Sequence, residues 1–214
     1  MVTIGVLALQ GDFAEHEAIV KRLGAEAREV RLPADLEGLD GLIIPGGEST
    51  TIARLMALYN LVEPLRRFAS QRPVWGTCAG MIVMAKKATD LDRETLNLMD
   101  IEVVRNAFGR QVHSFETDIP IDEIEGGPVH AVFIRAPLIR EAGEAVKVLG
   151  RLDGHGIVAA RQGHLLVTSF HPELTDDTRM HGYFLAMAEA IASGGDAPGK
   201  APRSDRPSTP RPRT

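Results

Sequence analysis

Residues 74–81 read Val-Trp-Gly-Thr-Cys-Ala-Gly-Met: a short apolar run, a cysteine framed as Gly-x-Cys-x-Gly, then the start of a helix-like pattern. No other stretch limits the fold as strongly. A strand that turns at once into a helix, with small residues on both sides of the turn, makes the helix pack straight back on its own strand. Such a unit belongs in a parallel sheet whose faces are covered. The residue at the turn, Cys78, then stands above the sheet, where the first amides of the helix favour negative charge on sulfur and can hold an oxyanion. It is the only cysteine in the chain. The competing reading is a structural thiol in an ordinary turn, since free cysteines are among the most buried residues.

The flanking pattern agrees with a layered sheet. Apolar runs of strand length cover residues 2–9, 27–32, 39–44 and 73–76, and helical patterns cover 12–23, 52–59, 62–69 and 79–86. Asp12 is placed to cap the first helix and Gly24 to stop it. After about residue 95 the runs become short and partly alternating, at 101–104, 117–121, 129–134, 145–149, 157–161 and 165–170. Gly, Pro and Asp turns separate them, so hairpins and edge strands fit better than crossovers. Asp176 opens a last helix through Ile191. The expectation is one α/β domain over residues 1–193: a mostly parallel sheet with helices on both faces and added antiparallel strands. Its sites should gather beyond the carboxyl ends of the strands.

Charge removes other classes. The net charge is −5, but residues 194–214 carry five Lys/Arg against two Asp, and taking away that +3 leaves −8 for residues 1–193. An acidic body is a poor match for a nucleic-acid backbone. The segment 194–214 also holds five of the thirteen prolines and almost nothing apolar, so it reads as a disordered tail. No apolar run approaches the roughly 20 residues that span a bilayer, and no leader pattern opens the chain. A single cysteine suits a reducing cytoplasm and excludes a Cys-rich metal site.

A second motif gives the cysteine a partner. Phe170-His171-Pro172-Glu173 follows the apolar run 165–169, placing a histidine just past a strand end with a carboxylate two residues on. Together they supply a base and a group to orient it, in the chain order Cys, His, Glu. Between strand and helix, Pro45-Gly46-Gly47-Glu48-Ser49 lacks a phosphate-binding lysine, and Glu48 would repel a phosphate. Two glycines beside the elbow fit a second oxyanion amide instead, with Gly47 and Ala79 as donors. His16, His113, His130, His155, His164 and His181 lack the setting of His171 and read as structural or exposed; their spacing makes no metal site, and no metal is expected.

With these residues in place, the chain resembles the triad (class I) glutamine amidotransferases. Within them, Leu9-Gln10-Gly11-Asp12-Phe13-Ala14-Glu15-His16, Pro45 to Thr51, Gly76 to Gly80, Arg105-Asn106-Ala107-Phe108-Gly109-Arg110-Gln111, Phe133 to Pro137 and Ser169 to Glu173 are similar to the glutaminase subunits of pyridoxal 5′-phosphate synthases. The likeness runs from residue 2 to about 191. It implies a flavodoxin-like three-layer α/β fold and hydrolysis of L-glutamine to L-glutamate and ammonia by Cys78, His171 and Glu173. It also implies glutamine binding by Gly47, Glu48, Ser49, Arg105, Ile134 and Arg135, with Gln10 near a partner contact. The implied partner is the synthase subunit, which takes the ammonia; family members are nearly idle until docked, and the glutaminase needs no cofactor of its own. Two rivals remain: a glutaminase of another amidotransferase pathway, and a non-catalytic binding module on the same fold.

Overall fold

The computed structural model describes residues 1–107 and 114–195. Residues 108–111 of the Arg105–Gln111 motif, His113 and nearly all of the expected tail lie outside them. The first half alternates as its pattern requires: β1 (Thr3–Leu7), α1 (Phe13–Arg22), β2 (Glu26–Val30), β3 (Gly41–Ile44), α2 (Ser49–Leu58), α3 (Val62–Ala69), β4 (Val74–Thr77) and α4 (Ala79–Met84). Short strands follow: β5 (Ala85–Ala88), β6 (Met99–Val104), β7 (Ser114–Ile119), β8 (Val129–Ile134), β9 (Leu138–Ala142), β10 (Lys147–Leu152), β11 (Gly156–Gln162) and β12 (Leu165–Thr168). The helix α5 (Arg179–Ala192) closes the series.

The main sheet runs β2-β1-β3-β4-β12-β11-β9-β6-β5, with β10 on β11. Its first five strands are parallel. β11 reverses the direction, and β9 and β10 pair with it antiparallel. β7 and β8 form a separate antiparallel pair. The parallel block has the 2-1-3-4-5 order of flavodoxin-like sheets, whose sites lie at the switch between first and third strands.

Both faces of this block are covered, which is why β1, β3, β4 and β12 are buried along their whole length. Neighbouring residues of a strand face opposite sides. Leu42 and Ile44 accordingly pack with Ile52, Met56, Leu65 and Val83 from α2, α3 and α4. Ile43 faces the other layer, with Val20 of α1 and Phe184 and Met187 of α5. The β7–β8 pair adds Val129, Ala131 and Phe133 to that second core. Among the described residues no helix is long and apolar enough to cross a membrane.

The structure departs from the sequence expectation at four places. The helix after the elbow stops at Met84, not residue 86, because Ala85 turns extended and Lys86 and Lys87 join the edge strand β5. There Lys86 Nζ pairs with Asp100 Oδ1 of β6 at 2.7 Å. The strand β9 follows Pro137 with no turn signal of its own and was not expected. Asp12 makes no side-chain cap on α1, since its carboxylate turns toward His171. The last helix begins at Arg179, and Asp177, not Asp176, accepts from the Arg179 amide at 3.1 Å.

The elbow glycine Gly80 shows how tightly α4 sits on the sheet: a Cβ there would lie 2.0 Å from the Ile44 carbonyl oxygen. Helix propensity alone would make alanine better by about 1 kcal/mol, but overpacking against backbone costs about 1–3 kcal/mol. Gly80→Ala should therefore lower the urea midpoint. Gly182→Ala in α5, where a Cβ meets nothing within 4 Å, should raise it. Equal shifts in both variants would show that the packing at the elbow is loose.

Candidate active site

Four adjacent parallel strands deliver the site from their carboxyl ends. β1 leads to Gln10 and Asp12, β3 to Gly46–Ser49, β4 to Cys78 and β12 to His171. Their loops surround a cavity of about 390 Å³. Of the residues singled out in the sequence, Gln10, Gly47, Glu48, Ser49, Cys78, Arg105, Ile134, Arg135 and His171 all line it. Glu173 lies behind His171, and Ala79 is buried at the first position of α4. Asp12, Ile82 and Asn106 line the cavity as well and were not foreseen as site residues.

Cys78 has φ 46° and ψ −103°, a left-handed backbone that costs a non-glycine residue strain. The register holds it there: its amide donates to the Thr168 carbonyl at 2.8 Å. The thiol lies 4.0 Å from the Ile134 carbonyl oxygen. His171 is fixed by its own amide, which donates to the Val132 carbonyl of β8 at 2.8 Å. Its ring occupies the space that a side chain at position 46 would need: a Cβ on Gly46 would lie 2.4 Å from Cε1. Ring Nδ1 is 2.7 Å from Glu173 Oε1 and 3.5 Å from Asp12 Oδ2, and the Cys78 thiol lines the same cavity as the ring.

Burial works against a charge on this ring, but the hydrogen bonds to Asp12, Cys78 and Glu173 outweigh it and hold the His171 pKa far above its ordinary value. Burial pushes the Glu173 carboxyl up, against the opposing pull of the His171 ring. Imidazole is the stronger base of the two, so their shared proton rests on Nδ1 and Glu173 accepts it. The arrangement can take a proton from a thiol, keep it in a charged ring, and return it to a leaving group.

The outer wall is polar. Glu48 caps α2, accepting from the Thr50 and Thr51 amides at 3.1 and 2.6 Å, while its own amide donates to Gln10 Oε1 at 2.7 Å. Despite its partial burial, those bonds hold the Glu48 carboxyl below its usual range. The Arg105 guanidinium is shared among Glu48 Oε1 at 3.5 Å, Thr50 Oγ1 at 3.4 Å and the Asp90 carbonyl. Arg135 is exposed at the rim, with φ 43° and no ion pair among the described residues. Ligand-capable atoms of Asp12, His171 and Glu173 lie within 4.8 Å of one another. Both acids face the same ring nitrogen, so a cation there would have to displace the proton that joins His171 to Glu173.

Behind the cavity lies a group that sequence reasoning set aside. His16 of α1 is fully buried, with Nε2 3.3 Å from Glu173 Oε2 and Nδ1 2.9 Å from His181 Nε2 of α5. Its position on the same helix face as Ile19 and Val20 was legible; its contact with a carboxylate from residue 173 was not.

A family model described as the SNO glutamine amidotransferase family matches residues 6–190. A pyridoxal 5′-phosphate synthase subunit PdxT from Niallia circulans is 57% identical over 185 residues, covering 86% of this chain and 96% of that one. The protein of the same name from Roseiflexus castenholzii is 52% identical over 189 residues, covering 87% of this chain and all of its own. A crystal structure titled glutamine amidotransferase superposes with a TM-score of 0.82 at 50% identity, covering 87% of this chain and 98% of that one. A putative GMP synthase component from Thermoplasma acidophilum, at 16% identity and TM-score 0.65, shares the fold alone; the match covers 91% of this chain and 96% of that one.

The buried rings link stability to pH in opposite directions. His16 and His181 are held below the ordinary value of 6.5, His181 at about 3, both mainly through burial. Below pH 6.5 the unfolded chain therefore binds protons there that the folded chain refuses, and stability falls by on the order of 1.4 kcal/mol per pH unit per ring. His171 is raised, so its contribution is complete below 6.5 and is lost as pH climbs above it. The melting temperature should peak near pH 6.5, and His171→Gln should flatten the alkaline side only. A flat profile from pH 5 to 8 would contradict this assignment of charges.

Proposed function

The chain belongs to the SNO glutamine amidotransferase family, and from that premise we propose that it is the glutaminase subunit of a pyridoxal 5′-phosphate synthase. It hydrolyses L-glutamine to L-glutamate and ammonia and hands the ammonia to a synthase partner, in a cytoplasmic setting that its lone cysteine suits. One observation carries the chemical part of this reading. A thiol from one segment and an imidazole from a distant one, backed by its own carboxylate, meet at one cavity, whose other walls are those the resemblance assigns to glutamine.

An amide is a poor electrophile, so the attack needs a thiolate. His171 holds the Cys78 proton, and the sulfur attacks the side-chain carbonyl carbon of glutamine. The negative oxygen that forms is held by the Gly47 and Ala79 amides. As the C–N bond breaks, His171 gives its proton to the leaving nitrogen, and ammonia departs. Water, deprotonated by the same ring, then attacks the thioester; sulfur leaves and takes the proton back, and glutamate is released. Glu173 keeps the ring oriented and balances its charge throughout.

The arginines divide the remaining work. The Arg105 guanidinium already serves Glu48, Thr50 and Asp90, whereas the Arg135 charge has no partner among the described residues. Arg135 is therefore the one free to pair with the α-carboxylate of glutamine, which suits a guanidinium fork. Arg135→Gln should raise KM by about tenfold while kcat changes by less than about threefold. A loss confined to kcat would assign that arginine elsewhere.

The whole reading is tested by glutamine hydrolysis with and without the synthase partner. Mixing should raise turnover greatly; equal rates would refute control by docking. Cys78→Ala should abolish ammonia release and leave docking intact, and a glutamine-analogue electrophile should label Cys78 in the unsubstituted chain. Absence of both labelling and turnover would leave a binding module in place of an enzyme.

A further inference from the structure

We propose that His16 is a positioning residue of this site: its Nε2–H donates to the second oxygen of Glu173 and holds that carboxylate turned toward His171. The inference rests on the glutaminase reading and adds a member to its machinery from a helix that contributes nothing else to the triad.

The Glu173 side chain is fully buried; His171 takes Oε1 at 2.7 Å, and Oε2 has no well-directed hydrogen bond of its own. A bare buried carboxylate oxygen is costly. The nearby donor candidate is His16 Nε2, which makes a hydrogen bond with Thr77 Oγ1 at 3.3 Å and lies at the same distance from Oε2. The distance is already short enough for a bond, and a small turn of the ring from Thr77 toward Oε2 would complete it.

Which tautomer His16 adopts is fixed by its other neighbour. Nδ1 is 2.9 Å from His181 Nε2, so one of the two must donate. If His16 Nδ1 donated, its Nε2 lone pair would face the carboxylate. His181 would then carry its proton on Nδ1, a buried atom with no hydrogen-bond partner among the described residues. That arrangement strands a donor and sets two acceptors against each other. The alternative strands no donor: His181 Nε2–H donates to His16 Nδ1, and His16 Nε2–H lies between Thr77 Oγ1 and Glu173 Oε2. The relay then runs from His181 through His16, Glu173 and His171 to Cys78.

Surrounding groups keep His16 a neutral donor. Burial comes first, then the repulsion that His181 would add if both rings took protons, then the charge on His171, and together they hold its pKa well below the ordinary range. The charged and titratable groups facing this cluster are Glu173, His171 and Asp12 on the site side and His181 with Arg22 behind it. Trp75 presses edge-on against both rings, with centroids 5.8 Å from His16 and 4.9 Å from His181. A neutral N–H can therefore orient the acid without competing for the proton on His171.

The test compares the full chain, His16→Gln and His16→Leu, each with the synthase partner. Glutamine can send an N–H along the Nε2 direction; leucine fills the space and cannot. His16→Leu should lower kcat by about tenfold to a hundredfold, with KM within about threefold. It should also move the acid limb of the pH profile up by about one unit, because a carboxylate that loses a donor becomes easier to protonate. His16→Gln should restore most of the rate and the original limb. Unchanged kcat and acid limb in a folded His16→Leu would overturn the proposal. An inactive unsubstituted chain would instead count against the glutaminase reading. Nitrogen-15 spectra of the histidines in the unsubstituted chain decide the tautomer without turnover or mutation: a proton on His16 Nε2 supports the relay, and one on Nδ1 overturns it.

Discussion

The parallel pairing of β4 with β12 sets everything else. Thr77 lies opposite Thr168, so the residues just beyond each strand, Cys78 and the run to His171, emerge side by side at one rim. The bond from the Cys78 amide to the Thr168 carbonyl continues the ladder one step past the strand and ties Cys78 to the histidine loop. A one-residue slip would turn every side chain of β12 to the opposite face and carry His171 away from the thiol. Such a slip is opposed on both faces, because the alternate residues Leu166 and Val167 are each fully buried in different cores. The register that brings Cys78 and His171 together is thus held by apolar packing beneath the cavity.

Burial at this rim acts on three histidines with two outcomes. His16 and His181, with few charges nearby of the opposite sign, are held neutral. His171 is nearly as enclosed, yet two carboxylates and a thiol outweigh the loss of water and keep it charged. The difference lies in partners, not in depth. A ring kept charged by its partners stands beside a strained Cys78 backbone, so stability gained at one residue of this rim is spent at the next.

Much of this was legible in the sequence, for identifiable reasons. The elbow, the Gly-Gly loop and the His-x-Glu pair are local signals in which each residue type is dictated by its own turn, so Cys78, Gly47, His171 and Glu173 could be named before any fold was known. The parallel half was readable because its strands are short apolar runs ended by turns. Where the outcome depended on distant partners, local reading failed. Asp12 looks like a helix cap and is one by position, but the distant His171 ring draws its carboxylate off. Lys86 and Lys87 continue a helical pattern that pairing with β6 converts to a strand. His16 carries no mark that separates it from a core histidine until α5 and Glu173 are brought against it.

The site also divides mechanically. Cys78, His171, Glu173 and His16 are buried and are each tied to a strand, a helix or another ring. Gly47, Glu48, Ile134 and Arg135 are exposed along the mouth. Local opening is easiest where backbone is solvated and contacts are few, so any adjustment on binding falls to the mouth and leaves the buried groups in place. The Gln10 side chain sits where the two parts meet: it accepts from the Glu48 amide and lies against Gly47, where a Cβ would be 2.6 Å from its Oε1. A residue in that position can pass a displacement of the β1 loop to the Gly46–Gly47 peptide while β3 and β4 stay fixed beneath it. Chemistry that depends on tenths of an ångström is thereby built on the sheet, and adaptation to substrate or partner is left to the loops above it.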